Sequence, residues 1–283
     1  MTRVQPVLVV HGGAGHSTRR SELTRRRRSL RAICESAADY LADHSAVESV
    51  VRAVAQLEDD PLFNAGTGSS VQRDGRVRMS AAIMDGRHRR FAAVLNIERV
   101  RHPILIAQAL LERSDRVLAG TQATRFARSL GFPSWNPVTT IRLAQWRRQR
   151  ASEGHGTVGA VALDRQGHLA AATSTGGKGF ELPGRVSDSG LPIGNYADPN
   201  VAISCTGIGE DIIDEGLAVR IAQRVADGDS LSRAFRRTFR ELAARHRRAG
   251  AIGLDRRGRV TWDTTLPVLL AMRRTVTRQL EPH

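Results

Sequence analysis

The sequence predicts an α+β fold in which two mainly antiparallel sheets pack face to face with helices on their outer sides. Three observations lead there. Strand-like and helix-like blocks alternate along 283 residues: a strand, helices, strands, helices, then a second block of strands, helices and strands. Three Asp-and-Gly turn signals, Asp74-Gly75, Asp164 to Gly167 and Asp255 to Gly258, stand between apolar runs and read as hairpins. Continuous apolar runs at Val158 to Leu163 and Val201 to Cys205 read as buried strands.

Each element follows from local pattern. Val7 to Val10 reads as a short strand entering a glycine-rich turn, His11-Gly12-Gly13-Ala14-Gly15. The glycine spacing of a dinucleotide or phosphate loop is absent, so the run reads as a tight turn beside other segments. Ser21 to Leu41 is a helix with Leu30, Ile33, Ala37 and Leu41 on one face. Ser45-Ala46-Val47-Glu48 has the form of a capping box, followed by the stripe Val47, Val50, Val51, Val54 and Leu57. An acidic cluster, Glu58-Asp59-Asp60, opens a polar loop that runs to Ser70. Val71 to Val77 is a hairpin and Phe91 to Ile97 a strand. From His102 the pattern turns helical, with Pro103 in a first turn and a second helix over Thr121 to Leu130. Gly131-Phe132-Pro133 ends it, and Val138 to Arg150 is either a last helix or partly disordered. His168 to Ser174 pairs with Val158 to Leu163, and two helices occupy Glu210 to Val225 and Ser230 to Arg247.

Composition excludes several classes. A hydrophobic content of 41% is that of a soluble globular chain with room for a proper core. The net charge of +15 invites a polyanionic partner. However, Lys178 is the one lysine, and arginines spread from Arg19 to Arg274 while aromatics make only 4%. That is a compositional bias more than a nucleic-acid surface. Cys34 and Cys205 supply neither a disulfide framework nor metal-ligand spacing, which fits a reducing compartment. With no signal-like or membrane-spanning run, the expected location is cytoplasmic.

The chemistry centres on Gly156-Thr157. A flexible glycine and a polar threonine stand directly before a buried strand, downstream of an Arg-rich segment, Arg147 to Glu153, that reads as an exposed linker. Division of the chain between Gly156 and Thr157 would free an α-amine. Its reference pKa of roughly 7.7–8.0 leaves a neutral fraction near pH 7, whereas a lysine at about 10.4 stays protonated. One residue would then be nucleophile and base together. Against this, Thr157 taken without its surroundings reads better as a plain β-branched strand residue. Downstream, Thr173 to Gly177 and Ser204 to Glu210 end strands in glycine turns whose N–H groups suit an oxyanion. Arg185 and Asp188 could hold both ends of a zwitterionic amino acid or form a surface ion pair; spacing leaves both open.

Taken together, these stretches resemble the plant-type L-asparaginase/isoaspartyl peptidase family of N-terminal-nucleophile hydrolases. The resemblance rests on Leu8 to Gly15, Pro61 to Gly66, Ile83 to Gly86, Gly156 to Asp164, Thr173 to Gly177, Gly184 to Val186 with Asp188-Ser189, and Ser204 to Gly207 with Gly209-Glu210, in family order. It implies a four-layer αββα sandwich as one domain over residues 1–283. That domain would be cleaved into an α chain, 1–156, and a β chain, 157–283, assembled as an (αβ)2 oligomer. It implies Thr157 as nucleophile, Thr175 as its positioner, and Thr206 with Gly207 as oxyanion hole. Arg185 would hold the substrate α-carboxylate, Asp188 and the Gly209 carbonyl would hold its α-amine, and Asn64 would lie near the site. The substrates implied are asparagine and β-aspartyl dipeptides, hydrolysed through a β-aspartyl-threonine intermediate. No cofactor is required; a structural sodium ion would sit on backbone carbonyls of Leu57, Glu58, Asp60, Phe63, Ala65 and Thr67.

The chain departs from the family pattern at Ser80, Lys178 to Glu181, Ser187, Gly190 and Trp262 to Leu266, positions expected to shape the leaving-group side. Two rivals remain at this level. One is a glycosylasparaginase, which needs room for a sugar. The other is an inactive, uncleaved relative that binds acidic ligands.

Overall fold

The computed structural model describes residues 4–15, 20–148 and 156–276. In chain order the first half contains β1 (Val7–Gly15), α1 (Arg20–Leu41), α2 (Ala46–Asp59), β2 (Met79–Asp85), β3 (Arg90–Ile97), α3 (Pro103–Leu110), β4 (Val117–Ala119), α4 (Gly120–Ser129) and α5 (Thr140–Arg147). The second half contains β5 (Val158–Leu163), β6 (Leu169–Thr175), β7 (Asn195–Ala197), β8 (Val201–Gly207), α6 (Gly209–Glu215), α7 (Leu217–Ala226), α8 (Leu231–Ala244), β9 (Ala249–Asp255), β10 (Val260–Thr264) and β11 (Val268–Thr275).

The strands form a seven-stranded sheet, β11-β1-β5-β6-β2-β3-β4, and a four-stranded sheet, β10-β9-β8-β7. Every neighbouring pair is antiparallel except β3 and β4. Strand periodicity then sorts the side chains into three apolar layers. Leu8, Val10, Ala160 and Ala172 point outward from the large sheet onto Leu30, Val50 and Val54 of α1 and α2. Val7, Val9, Val161, Leu163 and Ala171 point the other way and meet Ala202, Ile252 and Leu254 of the small sheet. Ile203, Cys205 and Ala251 face Ile221, Phe235 and Phe239 of α7 and α8. Helix, sheet, sheet and helix layers therefore stack as an αββα sandwich, the fold class expected from the sequence.

The same period places the polar residues. Continuing the inward face of β5 from Leu163 and Val161 reaches Gly159 and then Thr157. On β6, Leu169 and Ala171 lead to Thr173 and Thr175, and on β8, Ala202 leads to Ser204 and Thr206. His11 follows Val7 and Val9 on β1. The interface between the sheets is thus apolar at one end and lined by hydroxyls and one imidazole at the other.

Several expectations are refined. The capping box at Ser45 is present in both directions, Ser45 Oγ accepting from Glu48 N and Glu48 accepting from Ser45 N. Such a cap stabilises a helix by about 1 kcal/mol. The run His11 to Gly15 is not a turn. β1 continues through it to Gly15, with a register shift against β11 between His11 and Ala14. Its small residues let other segments approach, since a Cβ at Gly12 would lie 2.5 Å from the Phe63 ring. Val71 to Val77 holds a turn, closed by Gly75 N to Gln72 O at 3.0 Å, but its flanks are not strands. The helix expected over Glu210 to Val225 is two, α6 and α7, because Gly216 is left-handed at φ 56° and ends the first. The short strands β4 and β7 and the buried strand β2 carry too little alternation to be distinguished by pattern. The stretch Val138 to Arg150 holds α5, with its end, and most of the Arg147 to Glu153 linker, outside the described residues. Among the described residues no helix is long and apolar enough to cross a membrane.

Candidate active site

The hydroxyl-lined end of the sheet interface opens into a narrow cleft. Thr157 lies at its floor, 9% exposed, just before β5. Its Oγ1 donates to Thr175 Oγ1 at 3.2 Å, and Thr175 Oγ1 also accepts from Gly177 N at 3.2 Å. This pair exists because antiparallel β5 and β6 set Val158 opposite Ser174, which brings the residues just beyond, Thr157 and Thr175, side by side.

Gly156 is seated against Asn64. It has φ 152°, which an L side chain rarely adopts, and a Cβ there would stand 2.1 Å from Asn64 Cβ. Asn64 is itself locked: Nδ2 donates to Gly177 O at 2.5 Å, Oδ1 accepts from Ser70 N at 2.8 Å, and its carbonyl accepts from Gly176 N at 2.8 Å. Both flanks of the Gly156–Thr157 bond are therefore held by groups that also hold the turn after β6.

Gly207, Gly209, Arg185 and Asp188 line the opposite wall. Thr206 stands behind it; the residue is fully buried and its Oγ1 accepts from Ala14 N at 3.2 Å. Arg185 does not pair with Asp188. Its Nε donates to Glu210 Oε1 at 2.7 Å and its Nη2 to Glu210 Oε2 at 2.9 Å. These bonds hold the Glu210 carboxyl down to about 2. Asp188 is 2% exposed, and burial pushes its carboxyl up to about 6, against the pull of Ser187 and Arg185. Ser187 Oγ donates to Asp188 Oδ1 at 3.0 Å, while Oδ2 is buried with no partner among the described residues. A Cβ at Gly209 would meet Arg185 Nη2 at 2.5 Å and Asp188 Oδ1 at 2.9 Å, so a cation and an anion converge beside one bare backbone position. That is the charge pattern a zwitterion requires.

Two supporting residues were not singled out from the sequence. Glu210 appeared there as the end of a glycine turn, as a helix start and within the Gly209-Glu210 motif, with no role at the site. His11 is fully buried, and burial lowers its imidazole to about 3. Its Nε2 bonds Ser204 Oγ at 2.8 Å, Ser204 bonds Thr173 Oγ1 at 2.7 Å, and Thr173 donates to Asn195 Oδ1 at 3.1 Å. The chain ties the two sheets together directly behind the threonine. Strand period, extended from Val9, was the signal that could have aimed His11 inward.

The loop from Leu57 to Thr67 offers backbone carbonyl oxygens. The Glu58 carbonyl accepts from Thr67 N at 2.7 Å and the Asp60 carbonyl from Phe63 N at 3.0 Å, each keeping a second lone pair. Carbonyl donors suit a hard cation such as sodium. Among the described residues no group of three or more His, Cys, Asp or Glu could hold a metal ion. Of the departures from the family pattern, Lys178 and Ser187 line the cleft, whereas Ser80, Gly190 and Trp262 to Leu266 do not. Trp262 to Thr264 belong to β10, in the other sheet.

The profile of the asparaginase family matches residues 4–280. An isoaspartyl peptidase/L-asparaginase of Nostoc sp. is 46% identical, over 95% of this chain and 92% of its own. One of Synechocystis sp. is 42% identical, over 96% and 88%. A plant-type L-asparaginase of Pyrobaculum calidifontis is 40% identical, over 89% and 91%. With the sandwich and the buried threonine already in place, these similarities settle the family: the chain belongs to the plant-type L-asparaginases and isoaspartyl peptidases, hydrolases with a threonine nucleophile.

Proposed function

We propose that this amidohydrolase divides its own chain between Gly156 and Thr157 and then hydrolyses L-asparagine and β-aspartyl dipeptides. The observation that carries the reading is the convergence of Thr157 and Thr175 with Arg185, Asp188 and Gly209 in one cleft. Before division, the Thr157 hydroxyl attacks the Gly156 carbonyl, and acyl transfer followed by hydrolysis frees the α-amine. Afterwards that amine accepts the hydroxyl proton while Oγ1 attacks the substrate β-carbonyl. The new C–O bond makes a tetrahedral oxyanion, for which the Gly207 N–H and the Thr206 hydroxyl are the donors. Its collapse expels ammonia or the downstream peptide, protonated by the same amine. Water, deprotonated by it in turn, releases aspartate from the β-aspartyl ester. Thr175 orients the nucleophile. Arg185 binds the α-carboxylate, and Asp188 with the Gly209 carbonyl binds the α-ammonium group.

The Leu57 to Thr67 carbonyls would hold a sodium ion that stiffens the loop carrying Asn64. No step of the reaction passes through it. The cleaved chains assemble as an (αβ)2 oligomer. A denaturing gel with mass spectrometry tests the core of the reading: active protein yields two chains, the smaller beginning at Thr157. Thr157→Ala remains one chain without hydrolysis. An active, uncleaved Thr157→Ala protein would overturn the mechanism.

A further inference from the structure

Lys178 is the chain's one lysine, and it lines the cleft that holds Thr157. It directly follows Gly177, whose N–H donates to Thr175 Oγ1, the acceptor of the Thr157 hydroxyl. Its side chain is 48% exposed, against 13% for Arg185, so it stands toward the solvent side of the cleft. Nζ donates to Glu210 Oε1 at 3.1 Å, the same oxygen that takes Arg185 Nε. Two cations thus share one carboxylate.

Charge matching gives the lysine a role. Asparagine is a zwitterion whose two charges are met by Arg185 and Asp188, and its leaving group is ammonia. A β-aspartyl dipeptide carries one more negative charge, the C-terminal carboxylate of the departing residue. The aspartyl half fills the enclosed end of the cleft, so that residue projects outward, where Lys178 stands.

Resting on the reaction proposed above, we infer that Lys178 is a specificity-determining residue that binds the C-terminal carboxylate of the departing residue. It thereby favours β-aspartyl peptides over substrates whose leaving group lacks that charge. Glu210 keeps the ammonium group in place.

The test uses fully cleaved wild-type, Lys178→Met and Lys178→Arg proteins. Their substrates are β-aspartyl-leucine, its C-terminal amide, and asparagine. Wild-type protein should prefer the carboxylate to the amide by about fivefold in kcat/KM, the scale of a partly exposed ion pair. Lys178→Met should erase that ratio, and Lys178→Arg should keep most of it. A ratio that survives in Lys178→Met overturns the inference. So does a loss equal for all three substrates, which would mean that Lys178 acts only through Glu210 and Arg185. Wild-type protein that hydrolyses none of the three would instead overturn the reaction itself, and this role with it.

Discussion

Glu210 grips the Arg185 guanidinium along one edge, Oε1 to Nε at 2.7 Å and Oε2 to Nη2 at 2.9 Å. That pairing fixes the plane of the guanidinium and leaves Nη1 for an incoming carboxylate. Without it, Arg185 must be ordered by the substrate at the substrate's expense. Glu210→Gln should therefore raise KM for asparagine roughly tenfold, about 1.4 kcal/mol, with a much smaller change in kcat. Steady-state kinetics on cleaved protein check the split; a fall in kcat at constant KM would place Glu210 in the chemistry.

The Asp188 carboxyl, pushed up to about 6 by burial, gives the enzyme an acid limb. Binding an ammonium group requires the carboxylate. A raised pKa means that this form is lost already as pH falls through about 6, where an ordinary aspartate near 3.9 is still ionised. The kcat/KM profile, which reports the free enzyme, should rise with pH through that value. Ser187 Oγ donates to the charged form, so Ser187→Ala should shift this limb to higher pH. An unmoved or lowered inflection in Ser187→Ala would refute the assignment.

At Gly156 the constraint is steric. An added methyl carbon would lie 2.1 Å from Asn64 Cβ, at a backbone φ of 152° that disfavours any side chain. Gly156→Ala leaves the Thr157 hydroxyl intact yet displaces the carbonyl it must attack. The expected result is a folded single chain on a denaturing gel, with cleavage slowed at least about a hundredfold, as small misplacements of reacting groups do. Normal processing of Gly156→Ala would show that Asn64 does not hold the bond in its reactive position.

What the sequence revealed and what it hid have different physical causes. The nucleophile and the sandwich are local: a continuous apolar run over Val158 to Leu163 and a capping box at Ser45 announce themselves within ten residues. The substrate walls are not. Glu210 reaches Arg185 across 25 positions and Ser204 reaches His11 across 193, contacts that exist only because the two sheets stack. The glycines after His11 misled for a related reason. Glycine usually marks a turn, but here it marks where the Phe63 ring closes on a continuing strand.

Glu58 supplies a last test, on stability. It is fully buried at the end of α2, and burial pushes its carboxyl well above the ordinary range. Its Oε1 accepts from Ser174 Oγ at 2.6 Å and from Ile104 N at 3.1 Å, joining β6 beside the nucleophile to the start of α3. Glu58→Ala strands both donors and leaves a cavity, so it should cost about 2–4 kcal/mol in urea unfolding. Glu58→Gln retains an acceptor oxygen in the same volume and should cost about 1 kcal/mol or less. The two variants also differ in pH dependence. A folded-state pKa above the unfolded value contributes stability that is full below the unfolded value near 4.3 and lost as pH rises toward the folded one. Wild-type stability should therefore fall relative to Glu58→Gln as pH climbs from 4.3. Parallel stability curves for the two proteins would mean that Glu58 is ionised where it lies.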